Sequence, residues 1–220
     1  MIDTEYFSLT VIRASLQEIA NAFDATSRAV RVHSQWIELD LSVADSTTEI
    51  LWSPISSPHL TASLPAASYV NAWVQTDFSF ETLSVRSRLG VGEDSIQEMI
   101  HYKNGKLNRA VRVMRDPGWQ FWEHGEPFPF ENTEKYKVLP KHKRVDRALL
   151  LEYLSEYGAN VASDDFWRTE TEALTFPMKP EIVARMTEKP IPCPYCGKPL
   201  RTARAKQCQH CFRSWHAAGG

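Results

Sequence analysis

Four cysteines are the residues of this chain whose types and spacing speak most directly of chemistry. Cys193, Cys196, Cys208 and Cys211 form two C-x-x-C pairs separated by eleven residues, and the 192 residues before them contain none. Thiolates so arranged coordinate a metal, exchange electrons through a disulfide, or staple a secreted fold. Two tight turns facing each other across a hairpin place four sulfurs at the corners of a tetrahedron, the closed coordination of structural Zn2+. A secreted scaffold would spread its cysteines through the fold it staples, and these are confined to the last 28 residues. His210 and His216 are further candidate ligands, although four thiolates complete the shell without them.

The segment Cys193-Pro194-Tyr195-Cys196-Gly197-Lys198-Pro199-Leu200 resembles the first knuckle of a zinc ribbon, and Cys208-Gln209-His210-Cys211-Phe212 resembles the second. The resemblance covers residues 193–211 only. It implies one structural zinc per chain, with Cys193, Cys196, Cys208 and Cys211 as ligands and no open position for substrate. Phe212 stands where such a knuckle usually carries glycine. The string Cys193-Pro194-Tyr195-Cys196 also resembles the active-site motif of glutaredoxins, but that motif opens a thioredoxin-like fold and only 24 residues follow Cys196 here. Gly219-Gly220 resembles the tails of ubiquitin-like modifiers, although the cysteine pairs occupy the place of the modifier's globular fold.

Charge separates this tail from the rest. Residues 191–220 carry Lys198, Arg201, Arg204, Lys206 and Arg213 and no acid, a charge of +5; the whole chain is −2, which leaves −7 on the first 190 residues. Arg201, Arg204, Lys206 and Arg213, with Trp215, are the candidate contacts to a protein partner or to nucleic acid, by phosphate pairing and base stacking. A second basic stretch, Lys135, Lys137, Lys141, Lys143, Arg144 and Arg147 with His142, reads either as another phosphate-contacting surface or as a solvated charged face.

In the first 190 residues the candidates are fewer. Residues 119–130 form the densest aromatic patch, either the lining of a recognition pocket with Glu123, His124 and Glu126 as its polar groups or part of the core; the expectation is that Trp119 and Phe121 enter the core while Trp122 packs on the other sheet face or under the following loop. Arg109 is expected on an otherwise apolar face with Glu98 as its carboxylate, a site or a satisfied ion pair. Asp164-Asp165 after Ser163 reads as a helix start, with cation binding as the alternative. The sequence holds no phosphate loop, no G-x-S-x-G elbow and no H-E-x-x-H.

These residues are positioned by elements that the apolar periodicity outlines. Phe7, Leu9 and Val11 alternate with polar neighbours as in a half-buried strand. Ser15-Leu16-Gln17-Glu18 is a capping box, followed by Leu16, Ile19, Ala20 and Phe23 on one helical face. Residues 28–43 read as extended, residues 49–53, 69–77 and 78–89 as strands, and residues 53–65 as a Ser/Pro-rich loop. Asn104-Gly105 is a hairpin signal that pairs Tyr102 with Leu107, Ile100 with Arg109 and Met99 with Ala110. Asp116-Pro117-Gly118 turns the chain into a strand over residues 119–123. A short helix is expected over residues 131–138 and a longer one over 144–157, with Leu150, Leu151, Leu154 and Tyr157 inward and Gly158 as its cap. Another short helix is expected over 181–186.

The organisation expected is an α+β domain, mostly antiparallel sheet with a few packed helices, over residues 1–175. A Pro-rich linker over 176–192 and a zinc ribbon over 193–216 follow. With 43% hydrophobic residues and 24% charged, the chain has material for a core and is not a disordered tail. No apolar run reaches membrane-spanning length, and Met1-Ile2-Asp3-Thr4-Glu5 lacks the order of a secretory signal, so a cytoplasmic protein without membrane contact is expected. The function this reading puts first is a non-enzymatic recognition or accessory protein using the ribbon for macromolecular contacts, with a protein partner. The alternatives are a nucleic-acid-binding protein, using the ribbon and residues 135–147, and an enzyme whose site the first domain conceals.

Overall fold

A computed structural model describes residues 6–25, 35–43, 48–64, 74–75, 77–88, 95–116, 118–177, 193 and 195–197. The chain divides into two compact units, Met1–Pro177 and Met178–Gly220. Among the described residues the first is a nine-stranded, fully antiparallel sheet in the order β2-β9-β3-β4-β1-β5-β6-β7-β8, with two helices of nine and ten residues. The strands are β1 (Tyr6–Ile12), β2 (Gln35–Ile37), β3 (Thr48–Trp52), β4 (Thr61–Leu64), β5 (Thr82–Arg88), β6 (Ile96–Lys103), β7 (Lys106–Asp116), β8 (Gly118–His124) and β9 (Ala173–Pro177). The helices are α1 (Leu16–Asp24) and α2 (Arg147–Glu156). This is the α+β, mostly antiparallel class expected.

Both faces of the sheet bury apolar surface. On the first face Phe7, Leu9, Val11, Leu83, Val85, Met99, Val111 and Val113 pack against Leu149, Leu150, Tyr153 and Leu154 of α2. On the second, Ile12, Leu51, Leu174 and Phe176 pack against Leu16, Ile19, Ala20 and Phe23 of α1. β1 lies between the two halves, so Ser8 and Thr10 are buried along with Phe7, Leu9 and Val11. A strand with a core on each side has no wet face, and the half-buried pattern expected there is corrected accordingly.

Local signals read correctly where the chemistry is local. The Ser15 hydroxyl accepts from Glu18 N–H and the Glu18 carboxylate accepts from Ser15 N–H, closing the capping box. Asn104 and Gly105 both take positive φ, 53° and 72°, as a type I′ hairpin requires. Gly158, at φ 108°, follows α2, and Ser163 caps a 3-10 turn at Asp164–Trp167.

Other elements differ from expectation. β4 lies inside the stretch read as a Ser/Pro-rich loop. β9 inserts between β2 and β3, so the sheet includes residues 176 and 177 of the stretch read as a linker. Val74 and Gln75 are helical rather than extended. The helix expected over 131–138 is a 3-10 turn at Lys135–Lys137, and α2 starts three residues later than expected, capped by the Asp146 carboxylate. Of the extended stretch over 28–43, residues 35–43 are described, and they hold β2 and a 3-10 turn at Leu41–Val43. The short helix over 181–186 lies outside the described residues.

The correction with most consequence is in the β6–β7 register. Lys103 pairs with Lys106 and Tyr102 with Leu107, as the turn demands; a bulge then sets His101 opposite Arg109, Ile100 opposite Ala110 and Glu98 opposite Arg112. One extra residue, Asn108, separates the two registers. In a strand a one-residue slip moves every side chain to the opposite face.

Candidate functional site

The bulge divides the expected Arg109–Glu98 pair between the two faces of the sheet. Arg109 lies on the first face and is fully buried. Its Nε donates to Glu131 Oε1 at 2.9 Å, and its Nη2 donates to Glu131 Oε2 at 2.7 Å and to Glu123 Oε2 at 3.1 Å. Its Nη1 donates to the backbone carbonyls of Gly125 at 2.8 Å and His124 at 3.2 Å. Glu131 also accepts from Phe128 N–H and, at 2.7 Å, from the Tyr136 hydroxyl. Tyr153 donates to Tyr136 at 2.9 Å and accepts from Asn132 N–H.

Burial works against the Arg109 charge, but Glu131 and Glu123 more than restore it and raise the guanidinium's affinity for its proton. Burial, Tyr153 and Glu131 together push the Tyr136 hydroxyl well above the usual phenol range. Every guanidinium edge is spent, so this network ties β7 and β8 to the loop over residues 125–136.

A second cluster gathers on Glu81, just before β5. Its carboxylate accepts from Arg13 Nη1 at 3.0 Å, Lys103 Nζ at 3.4 Å, His101 Nε2 at 3.3 Å and the Tyr157 hydroxyl at 3.3 Å. His101, 1% exposed, receives Asn108 Nδ2 on its Nδ1 at 3.1 Å and packs edge-on against Phe128 and Tyr157. Asn108 is the bulge residue, so the same irregularity that turns Arg109 inward also supplies the second partner of His101. Burial lowers the imidazole's pKa, and Glu81 offsets this only in part. Burial alone would raise the Glu81 carboxyl, but His101, Arg13 and Lys103 bring it below its ordinary value.

The third cluster occupies the second face, where β5, β6 and β7 align Arg86, Glu98 and Arg112. Arg86 Nη2 donates to Glu98 Oε1 at 2.9 Å and Arg112 Nε donates to Glu98 Oε2. Glu98 is buried, whereas each arginine side chain is one-third exposed. The trio borders a pocket of about 210 Å³ that is also lined by Gln75, Ser84, Ile100 and Tyr102. Gln75 Nε2 donates to Ser84 Oγ at 3.1 Å, and Ser84 shares a hydrogen bond with Thr10 at 2.8 Å. Arg112 also lies 5.8 Å from the Trp122 ring, which is 46% exposed and stacked with His124. Glu98 was visible in the sequence as a carboxylate for Arg109; Arg86 and Arg112, its actual partners, were not singled out.

Arg109, Glu98 and His124 therefore do not converge on one cleft. His124 meets Arg109 only through its carbonyl. Trp119 and Phe121 pack toward the first-face core and Trp122 takes the other face, as expected. Glu126 is exposed, and Asp165 N–H donates to the Ser163 hydroxyl at the start of the 3-10 turn. In the basic stretch, Arg144 Nε donates to Val138 O and its guanidinium lies 4.9 Å from the Phe121 ring, while Arg147 Nε donates to Ser87 Oγ. Lys141 and Lys143 are exposed.

Of the cysteine tail, the described residues are Cys193 and 195–197. Tyr195 N–H donates to Cys193 Sγ at 3.4 Å, Gly197 N–H donates to Cys193 O at 2.9 Å, and Gly197 takes φ 71°. Cys208, Cys211, Arg201, Arg204, Lys206, Arg213, Trp215 and Gly219-Gly220 lie outside the described residues. Among the described residues no group of three His, Cys, Asp or Glu is placed to hold a metal, and no helix is long and apolar enough to cross a membrane. No family model, curated protein or solved structure matches the chain.

Proposed function

We propose that this is a non-enzymatic recognition protein of the cytoplasm whose cysteine tail is a zinc ribbon, with Cys193, Cys196, Cys208 and Cys211 holding one structural Zn2+. The observation that carries the reading is the turn at Cys193. A thiolate bound to a cation keeps excess negative charge, and a backbone N–H directed at the sulfur stabilises it. Tyr195 N–H meets Cys193 Sγ in this way, and Gly197 supplies the left-handed residue that closes the turn. The ribbon, or the antiparallel run β6-β7-β8 with the exposed Trp122 on β8, would then receive a protein partner. In the nucleic-acid alternative, Arg201, Arg204, Lys206, Arg213 and Trp215 act together with the basic residues of 135–147.

Metal analysis of protein purified without chelator tests the zinc, with one equivalent expected per chain. Structural zinc couples about 10–16 kcal/mol of binding to folding of its module, so Cys196→Ser should release the metal and unfold the tail. The melt of residues 1–177 should survive. Zinc-free wild-type protein would sink the reading. Filter binding to DNA and RNA at low salt separates the two partner classes, because phosphate contacts give an affinity that falls steeply with salt.

A further inference from the structure

We infer that the pocket bordered by Arg86, Glu98 and Arg112 is a binding site for a small molecule carrying an oxyanion, a carboxylate or a phosphate, beside an apolar flank. The inference is independent of the metal reading. Two arginines and one glutamate leave the trio with a net charge of +1, at a place where the two arginine side chains are one-third open to solvent and Glu98 is buried. Glu98 takes Nη2 of Arg86 and Nε of Arg112, so it orients both guanidinium planes while consuming few of their ten N–H groups. Arg86 Nε is itself buried and without a hydrogen-bond partner among the described residues. Buried donors are nearly always paired, so one left over beside a pocket calls for a partner that the protein's own groups do not supply.

What remains is a pair of planar guanidinium groups, oriented by Glu98, that line the cavity. Guanidinium forks match the oxygens of carboxylates and phosphates two at a time, and a cation would be repelled by the same charge. Ile100 and Tyr102 supply apolar surface on the neighbouring strand, and Gln75, held by Ser84, supplies an amide. A volume of about 210 Å³ is below that of drug-sized sites. A small organic acid or a phosphomonoester suits it better than a dinucleotide or a peptide.

Calorimetric titration of the full chain with benzoate, with phenyl phosphate and with benzamidinium tests this. One of the two anions should bind with a single-site, saturable isotherm that weakens with salt, and which one binds identifies the oxyanion; benzamidinium should give no isotherm. Arg112→Gln should weaken binding about tenfold or more, equivalent to at least ~1.4 kcal/mol. Glu98→Gln, which raises the local charge to +2, should tighten it. Because the arginine variant perturbs an ion pair and could cost folding, Ile100→Trp provides a second route: it fills the pocket without altering any charge and should abolish binding while leaving the melt intact. If neither anion saturates through the millimolar range, or if Ile100→Trp binds as the wild type does, the proposal is overturned.

Discussion

Arg109 and Arg112 stand three residues apart on the same strand and have opposite fates. Arg109 is fully buried, and its five N–H groups meet two carboxylates and two carbonyls. Arg112 is one-third exposed, gives Nε to Glu98 and borders a pocket. Both are arginine–glutamate pairs, and residue type alone does not tell them apart. What differs is completeness. A buried charge is tolerated only when its hydrogen-bonding capacity is exhausted, so the closed network on the first face is structural. The half-open trio on the second face keeps donors in reserve.

Stability measurements give the strongest way to break that comparison. Arg109→Met should cost about 3–5 kcal/mol in urea denaturation, because it leaves Glu131 buried without its cation. Arg112→Met should cost about 0–1 kcal/mol, since Glu98 retains Arg86 and the site is partly solvated. Replacing Arg109 and Glu131 together by Met and Leu should recover most of the loss, as buried pairs often exchange for apolar groups at little net cost. Equal losses for Arg109→Met and Arg112→Met would erase the distinction between the two faces.

The contrast was only half legible in the sequence, and the reason is the bulge. Asn104-Gly105 specifies its turn through local backbone preference, so the hairpin and its first two pairs follow directly. Nothing local marks Asn108 as an extra residue, and that one residue exchanges Glu98 for Glu131 as the carboxylate of Arg109. β4 and β9 escaped for a related reason. Residues 61–63 and 173–176 are buried throughout, so they show no alternation to read, and β4 is hidden among prolines that suggest a loop. Arg86, Glu98 and Arg112 meet only through the registers of three strands. The capping box, by contrast, is complete within four residues and was fully legible.

Gly125 offers a sharper cut at the closed network, with a smaller expected effect. It sits at φ 76°, and a Cβ there would lie 1.9 Å from Asn108 O. Its carbonyl also holds Arg109 Nη1. Gly125→Ala should therefore cost about 1–3 kcal/mol, through forbidden backbone geometry and the displaced carbonyl. At the other end of β8, a Cβ on Gly118 meets nothing within 4 Å. Gly118→Ala should stay within about 0.5 kcal/mol of wild type. Similar thermal melts for the two variants would show that the Gly125 crossing is not needed to hold Arg109.

Acid should act on the cluster that joins Glu81 and His101, with the smallest effect. Burial lowers the pKa of His101 from its ordinary 6.5, so the unfolded chain takes up a proton there that the folded chain resists. The stability contributed is complete above pH 6.5 and declines as pH falls from that value through the lowered one. The Glu81 carboxyl is likewise held below its ordinary 4.5, by His101, Arg13 and Lys103 against the opposing effect of burial. Its contribution is complete above pH 4.5 and is lost as pH falls through the folded value. The urea midpoint should thus drop in two stages on acidification, the histidine stage first. His101→Gln keeps a donor for Glu81 and an acceptor for Asn108 but cannot titrate, so it should flatten the first stage and leave the second. A wild-type midpoint that does not change between pH 7 and pH 5, or a His101→Gln profile that follows it through both stages, would show that the bulge-built contact between Asn108 and His101 does not couple folding to protonation.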